Sequence, residues 1–247
     1  MLIEQTLTQL NELKLTGMAA ALEEQRGVPD VQSLTFEDRF ALLLDRESTV
    51  REHRRRTRLL RQAKLRLPAA TIEDLNFRAK RGLDRSVILS LAGCDWIHQH
   101  QVTLVTGATG TGKTYLSCAL GQSACRHGIS VRYFRLSRLL DQLRIARADG
   151  SYERLLDRLQ KTAALLIDDF GLQALNETER RDLLEVLEDR YGRRATLVAS
   201  QLPIDHWHDV VGDATFGDAI LDRLVHHAHR IHLNGASMRR HAPQSTT

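Results

Sequence analysis

Eight consecutive residues near the middle of the chain have the types and spacing of a loop that binds phosphate. The run fits the pattern G-x-x-x-x-G-K-[ST] and comprises Gly107, Ala108, Thr109, Gly110, Thr111, Gly112, Lys113 and Thr114. Glycines let the backbone curl so that successive N–H groups converge on phosphate oxygens. A following helix N-terminus adds positive potential. Lys113 is expected to reach the β- and γ-phosphates of ATP, and Thr114 to offer its hydroxyl to Mg²⁺.

Two carboxylates follow an apolar stretch further along the chain. The segment reads Leu165-Leu166-Ile167-Asp168-Asp169. Asp168 is placed to hold Mg²⁺, and Asp169 to orient or deprotonate an attacking water. An Asp-Asp pair alone is commonly an ordinary helix start. After a buried strand, and together with a phosphate loop, it indicates ATP hydrolysis.

Two other side chains are candidates by position. Gln201 follows an apolar strand and is expected to touch the γ-phosphate or the lytic water, the alternative being a capping turn before Pro203. Arg223 lies on a predicted helix, where it could act as an arginine finger in a neighbouring subunit's site. A lone arginine on a helix is otherwise a solvated cation, so its position alone does not decide the role.

The elements that would position these residues alternate between strand and helix after Trp96. We predict strands over 101–106, 131–134, 163–167, 195–199 and 230–233. We predict helices over 113–127, 136–148, 151–161, 177–190 and 217–227. Such alternation is typical of an α/β domain with a parallel, doubly wound sheet.

The first part of the chain reads as helices instead. Apolar residues recur at three- or four-residue spacing from Ile3 to Leu13, and Gly17 is expected to weaken that helix. Thr35 followed by Asp38 predicts a helix start. We therefore expect a helical N-terminal domain over 1–67, a linker and helix over 68–95, and an ATPase domain over 96–247.

Composition excludes several classes of protein. A chain of 247 residues with 42% hydrophobic content can bury a core, so it is not wholly disordered. With 35 basic and 31 acidic side chains, its net charge of +4 permits nucleic-acid binding without showing it. No apolar run approaches the ~20 residues that span a membrane. Three cysteines without paired spacing predict reduced thiols in a cytoplasmic protein.

Several segments along nearly the whole chain resemble the IstB family, the ATPase helper proteins of insertion-sequence transposition. The matching segments are residues 15–19, 21–25, 146–152, 187–191, 200–203 and 218–224, together with the phosphate loop. The IstB family belongs to the AAA+ class and is related to the DnaC helicase loaders. The resemblance therefore implies an AAA+ domain with a five-stranded parallel sheet.

The resemblance also implies a function. Proteins of this family assemble with ATP on duplex target DNA and direct a partner transposase, IstA, to it. Arg223 would then be the trans-acting arginine, and Gln201 would end the sensing strand. A DnaC-type helicase loader is the main alternative; a small-molecule kinase and an ATP-holding scaffold are others.

Two features of this sequence differ from the wider AAA+ pattern, and each has a physical consequence. Many relatives have Asp-Glu where this chain has Asp168-Asp169, and the shorter side chain predicts slow intrinsic hydrolysis. Twelve residues follow Gly235, too few for the usual helical lid, so we expect a neighbouring subunit to complete the site. ATP binding and oligomerisation would then be coupled, with Arg239 or Arg240 partly replacing the lid arginine.

Two basic segments are candidates for contact with DNA. Residues 51–66 contain eight arginines or lysines and one acid, which predicts a solvated helix, a phosphate contact or a surface for the transposase. The second segment follows the second strand, where related proteins place a helix that tracks nucleic acid. By that resemblance we expect Arg138, Arg144 and Arg147 to contact DNA phosphates.

Overall fold

The computed structural model describes residues 2–79 and 81–238. It divides into two compact units, and the division falls between Arg58 and Leu59. The division comes earlier than the predicted boundary after residue 67, because Leu59 and Ala63 belong to the core of the second unit. Residues 68–95, predicted as a linker and helix, also supply core residues of that unit, including Ala70 and Leu91.

The first unit is helical. It contains α1 (Leu2–Glu12), α2 (Thr16–Gly27), a short 3-10 helix (Pro29–Ser33) and most of α3 (Phe36–Ala63). The predicted start of α3 is confirmed, since the Asp38 backbone N–H donates to Thr35 Oγ1 at 3.2 Å. The helix then runs without interruption across the division between the units.

Gly17 has a packing role at the start of α2. The backbone N–H groups of Gly17 and Met18 donate to Glu47 Oε2 at 2.7 and 3.2 Å, within the first unit. A Cβ at position 17 would lie 2.8 Å from the Glu47 Cα, so only glycine allows this approach. Burial raises the pKa of Glu47, but hydrogen bonds from Arg51, Met18 and Gly17 together lower it.

The second unit is built on five parallel strands, as the sequence predicts. They are β1 (Val102–Gly107), β2 (Val131–Arg135), β3 (Ala164–Phe170), β4 (Ala195–Ser200) and β5 (His229–Leu233), in the order β2-β3-β4-β1-β5. All four neighbouring pairs are parallel. The carboxyl ends of the strands therefore lie along one edge of the sheet, where ligands bind in folds of this kind.

Helices cover both faces of the sheet. Their bounds are α4 (Arg85–Ala92), α5 (Asp95–His98), α6 (Lys113–Arg126), α7 (Leu136–Asp149), α8 (Tyr152–Lys161), α9 (Glu177–Arg190), α10 (Trp207–Val211) and α11 (Ala214–Val225). Neighbouring strand residues point to opposite faces, so Val105 packs in one apolar core and Leu104 in the other. The first core is closed by α4, α5 and α6, and the second by α7 to α11.

Two helical segments after β1 differ from the prediction. The helix predicted over 217–227 begins at Ala214, because the Asp213 side chain accepts from the Phe216 backbone N–H at 2.9 Å and caps it earlier. The short helix α10 was not predicted. It forms around Trp207, which is fully buried and donates its indole N–H to the Leu202 carbonyl at 3.1 Å.

The three cysteines are free and buried. Burial raises the pKa of Cys94 and Cys118 to about 11, and that of Cys125 to about 12. At neutral pH these thiols are therefore protonated and pack as small apolar side chains. Among the described helices, none has the length and apolar character needed to cross a membrane.

Candidate nucleotide site

The phosphate loop joins β1 to α6, as predicted. Its glycines 107, 110 and 112 have φ values of 143°, 84° and 101°, a region that side chains rarely adopt. A Cβ on Gly107 would lie 2.1 Å from the Leu233 carbonyl oxygen, and one on Gly112 would lie 2.6 Å from the Arg81 guanidinium. Glycine is therefore required at both positions by conformation and by space.

Lys113 folds back over this loop. Its ammonium donates to the carbonyl oxygens of Gly107 at 2.7 Å and Ala108 at 2.9 Å. The side chain is buried at the first turn of α6, where the helix N-terminus already favours negative charge. The loop therefore presents a fixed cation and converging backbone N–H groups to an anion such as phosphate.

Thr114 and Asp168 meet beside the loop. The Thr114 hydroxyl donates to Asp168 Oδ2 at 2.7 Å, and Asp168 is 1% exposed. Hydroxyl and carboxylate oxygens are the ligands that Mg²⁺ prefers, with phosphate and water completing its shell. The residues predicted to hold Mg²⁺ are thus in contact. Among the residues that the structure describes, no cluster of three or more His, Cys, Asp and Glu is placed to bind a metal.

Tyr133 also contacts Asp168, and this contact was not predicted from the sequence. Its hydroxyl donates to Asp168 Oδ2 at 2.8 Å. Burial raises the pKa of Tyr133, and the nearby charge of Asp168 raises it further, so the hydroxyl keeps its proton and donates. Predicting this contact requires the strand order, because only the pairing of β2 with β3 brings Tyr133 to Asp168.

Asp169 faces the loop from the end of β3. Its φ of 60° is left-handed, a conformation that Asp tolerates better than most residues. Burial raises the pKa of Asp169, and the charge of Asp168 raises it further. Gln201 lies on the same side, where its side-chain carbonyl accepts from the Thr109 hydroxyl at 2.5 Å.

The phosphate loop, Asp169 and Gln201 contribute to one pocket of about 380 Å³. Seven of its lining residues were predicted: Thr109, Gly110, Gly112, Lys113, Thr114, Asp169 and Gln201. Four were not: Arg66, Leu67, Tyr115 and Met238. The Met238 backbone N–H donates to the Gly110 carbonyl at 2.8 Å, so the chain beyond β5 returns across the loop. Arg239 and Arg240 lie outside the described residues.

Arg81 supports the loop from behind. Its guanidinium donates to the Thr111 carbonyl at 3.1 Å and to the Asn76 carbonyl at 3.3 Å, and the residue is buried. Burial lowers the pKa of Arg81 from its ordinary value, although the guanidinium remains charged. Sequence patterns do not predict this contact, because the segment that carries Arg81 has no regular structure.

Arg223 is not brought to the pocket of its own chain. It forms an ion pair with Glu188 and donates to the Ala219 carbonyl at 2.7 Å. It lines a separate cavity with Val102, the first residue of β1, whereas the phosphate loop begins at Gly107, the last. Arg223 therefore lies at the opposite edge of the sheet, and its role as a trans-acting finger stays a prediction.

The three arginines predicted to contact DNA differ in their surroundings. Arg138 and Arg144 are 68% and 76% exposed and flank Asp141 at 3.8 and 3.6 Å. Arg147 instead donates to Asp182 Oδ1, from Nε at 2.8 Å and from a terminal nitrogen at 2.6 Å. It also stacks 3.7 Å from the ring centre of Tyr152.

Arg147 is thus held within its own chain. Its hydrogen bonds to Asp182, which is 2% exposed, raise the pKa of Arg147. A cation that neutralises a buried carboxylate is costly to withdraw. The geometry therefore favours Arg138 and Arg144 over Arg147 as side chains available to a phosphate.

The basic stretch over 51–66 also divides by position. Arg51 pairs with Glu47 at 2.6 Å, and Arg66 lines the nucleotide pocket. Exposed arginines between them are Arg54, Arg55, Arg56, Arg58 and Arg61. The stretch is therefore not one uniform surface, and its contact with DNA or with a transposase stays a prediction.

Comparison with known proteins agrees with this geometry. The family of IstB-like ATP-binding proteins matches residues 8–246. The chain belongs to this family. An insertion-sequence ATP-binding protein of Sinorhizobium fredii, y4pL, is 49% identical over 240 residues, covering 97% of this chain and 98% of that protein. The ATP-binding protein of insertion sequence IS1162 from Pseudomonas fluorescens is 52% identical over 203 residues, covering 82% and 88%.

Two solved structures share the fold of this IstB family member. DnaI matches with a TM-score of 0.59 and 19% identity, covering 67% of this chain and 92% of that chain. The DnaC helicase loader matches with a TM-score of 0.53 and 16% identity, covering 61% and 88%. The five-stranded parallel fold that the resemblance implies, shared with DnaC and DnaI, is therefore confirmed. Family membership likewise supports nucleotide binding at the loop that begins with Gly107.

Proposed function

We propose that this chain is an ATP-dependent DNA-binding helper of transposition. It oligomerises on duplex target DNA and directs a partner transposase to that DNA, with ATP hydrolysis as the switch. The observation that carries the proposal is a pocket lined by Lys113, Thr114 and Asp169 in an IstB family protein. The Thr114 hydroxyl there is hydrogen-bonded to Asp168.

The nucleotide is bound by the loop and by Lys113. Backbone N–H groups at the start of α6 hold the phosphates, and the Lys113 ammonium exchanges its carbonyl partners for phosphate oxygens. Thr114 and Asp168 would hold Mg²⁺, which neutralises charge on the β- and γ-phosphates when bound. Tyr133 keeps the Asp168 carboxylate oriented toward that position.

Hydrolysis needs a water in line with the γ-phosphate. Asp169 accepts a proton from that water or orients it, while the Gln201 side chain contacts the γ-phosphate or the water itself. The water oxygen forms a bond to the γ-phosphorus as the bond to the β-phosphate oxygen breaks, giving ADP and phosphate. Because Asp169 is one methylene shorter than glutamate, this step is slow and the ATP state is long-lived.

Arg223 couples the assembly of subunits to the binding of ATP. This side chain lies at the sheet edge opposite its own phosphate loop, so it reaches a γ-phosphate only in a neighbouring subunit. An arginine at that position stabilises the charge of the transferring phosphoryl group. ATP therefore strengthens the contact between subunits, and the contact in turn completes the ATP site.

Exposed arginines of α7 contact the DNA. Among the residues that the structure describes, Arg138 and Arg144 share the partly exposed Asp141 as an ion-pair partner, so their charges remain available to phosphate oxygens. Contacts to phosphate give affinity with little sequence preference. That property suits a protein that accepts many target sites.

The transposase partner is inferred from the relatives. Both of the relatives compared above are described as ATP-binding proteins of insertion sequences, and both cover more than four-fifths of this chain. The likeness to DnaC and DnaI shows the fold alone and names no partner for this chain. A transposase of the IstA type is therefore the proposed partner, and a replicative helicase is the alternative.

Electron microscopy with duplex DNA tests the proposal directly. The protein would be imaged with ATP and with ADP, each with and without a transposase of the IstA type. We expect an oligomer on the duplex with ATP only, and retention of the transposase by that oligomer. Equal assembly with ADP, or selective co-purification with a replicative helicase, would contradict the proposal.

A further inference from the structure

Arg66 reaches into the nucleotide pocket from outside the phosphate-binding motif. It lines the same pocket as Lys113 and Gln201. One of its terminal nitrogens lies 3.7 Å from Asp169 Oδ2, on the carboxylate proposed to orient the attacking water. A cation is thus already present beside that carboxylate within a single chain.

The backbone of Arg66 is held by its neighbours, whereas its side chain is partly exposed. Lys64, with a φ of 51°, ends α3, and Ala63 and Leu65 are buried on either side of it. The Leu67 carbonyl accepts from the Ala70 backbone N–H at 3.1 Å and closes the following turn. The Arg66 side chain is 44% exposed, so its guanidinium can change partner without moving the chain.

The pair with Asp169 is loose. Its 3.7 Å separation exceeds the 2.7–2.9 Å of a charge-assisted hydrogen bond. Partly exposed pairs of this kind contribute little to stability, so the pair costs little to break. A planar guanidinium binds two phosphate oxygens at once, which makes phosphate the stronger partner.

The position of Arg66 points to the terminal phosphate. The pocket places it with Thr109, Asp169 and Gln201, which lie at or just beyond the carboxyl ends of β1, β3 and β4. Thr109 and Gln201 are hydrogen-bonded to each other on this wall. Because Asp169 must face the attacked phosphorus, a cation beside Asp169 faces the γ-phosphate as well.

We propose that Arg66 is a nucleotide-sensing residue that pairs with Asp169 in the absence of a γ-phosphate and binds the γ-phosphate when ATP enters. Asp169 is then released to the attacking water. This inference rests on the proposed function, because it requires ATP to occupy the pocket. It makes the chain distinguish ATP from ADP without help from a neighbouring subunit.

Nucleotide affinities of Arg66→Gln test the proposal. Calorimetry on the protein without DNA, with Mg²⁺ present, would measure its affinity for ADP and for a non-hydrolysed analogue of ATP. We expect Arg66→Gln to weaken ATP binding about tenfold, the loss of one hydrogen-bonded charge contact, and to change ADP binding about twofold at most. Arg66→Lys should recover part of the loss. Arg154→Gln, an exposed arginine on α8, is the control and should change neither affinity.

The outcomes separate the two proposals. If the wild-type chain bound neither nucleotide, or if Lys113→Ala bound ATP as well as the wild type does, the proposed function would fail. If the wild type bound ATP through Lys113 but Arg66→Gln weakened ATP and ADP equally or not at all, only the role of Arg66 would fail.

A double substitution distinguishes contact with phosphate from simple neutralisation of Asp169. In an Asp169→Asn background there is no carboxylate to neutralise. A direct contact predicts that Arg66→Gln still weakens ATP binding about tenfold in this background. If the effect of Arg66→Gln disappeared there, Arg66 would act only as a counter-ion of Asp169, and the sensing role would be overturned.

Discussion

The hydroxyl of Thr114 donates to Asp168 Oδ2 at 2.7 Å, which joins the start of α6 to the end of β3. Tyr133 donates to the same oxygen from β2. Three elements thus converge on one buried carboxylate. The arrangement fixes the two proposed Mg²⁺ ligands before nucleotide enters, because their positions are set by the sheet and by the phosphate loop.

Tyr133→Phe should weaken the response to Mg²⁺. Without its hydroxyl, Asp168 loses a donor that orients it, and loss of such an outer-shell partner typically costs about 10–100-fold in metal affinity. A magnesium titration of ATPase activity would show a raised half-saturation point, while nucleotide binding without Mg²⁺ stays unchanged. Tyr191→Phe, at an exposed tyrosine, is the matched control. An unchanged magnesium titration would show that Tyr133 serves packing alone.

Asp169→Asn should abolish hydrolysis while ATP still binds. Removing a general base typically costs about 10²–10⁴-fold in rate. Single-turnover hydrolysis in the presence of duplex DNA measures this, with Asp205→Asn at an exposed site as control. Asp169→Glu should hydrolyse faster than the wild type because its carboxylate reaches further. Hydrolysis by Asp169→Asn at the wild-type rate would remove Asp169 from the mechanism.

Arg147→Ala should destabilise the fold. It leaves Asp182 buried without its cation, which costs about 1–3 kcal/mol in the free energy of unfolding. Arg138→Ala and Arg144→Ala should change that free energy by about 0.5 kcal/mol at most, as exposed substitutions do. Urea unfolding of the three variants makes the comparison.

The same variants separate stability from DNA contact. Each of Arg138→Ala and Arg144→Ala should reduce the slope of log affinity against log salt by about 1, the signature of one lost phosphate contact. Arg147→Ala should leave that slope unchanged under conditions where it is folded. A stable Arg147→Ala with a reduced slope would instead make Arg147 a DNA contact.

Mixed oligomers test whether Arg223 acts in a neighbouring subunit. Lys113→Ala and Arg223→Ala should each be inactive alone. Mixed in equal amounts they should regain part of the DNA-stimulated ATPase activity, because an intact Lys113 in one subunit meets an intact Arg223 from the other. Mixing each variant with itself is the control. If mixing restored no activity, Arg223 would not complete a neighbour's site.

The parts of the site that follow from the sequence are a contiguous loop and the residues at the ends of neighbouring strands. The loop from Gly107 to Thr114 could be predicted because strand, glycines and helix are contiguous. Asp169 and Gln201 could be placed beside it because parallel strands end at the same edge of the sheet. The strand and helix pattern was sufficient for this, without knowledge of the strand order.

The remaining contacts depend on tertiary structure that local patterns do not encode. Tyr133 reaches Asp168 only because β2 pairs with β3. Arg66 and Arg81 belong to segments without regular structure, whose paths are set by packing of Leu65 and Ala70. The division into two units after Arg58 could not be predicted either, because the helical pattern of α3 continues through it.

The central claim is that ATP, held through Lys113, lets subunits assemble on duplex DNA. Sedimentation of the wild type and Lys113→Ala with labelled duplex, in ATP and in ADP, tests it most directly. We expect a large protein–DNA complex for the wild type in ATP, and none for Lys113→Ala or in ADP. If Lys113→Ala self-associated and captured duplex DNA like the wild type, the claim would be contradicted.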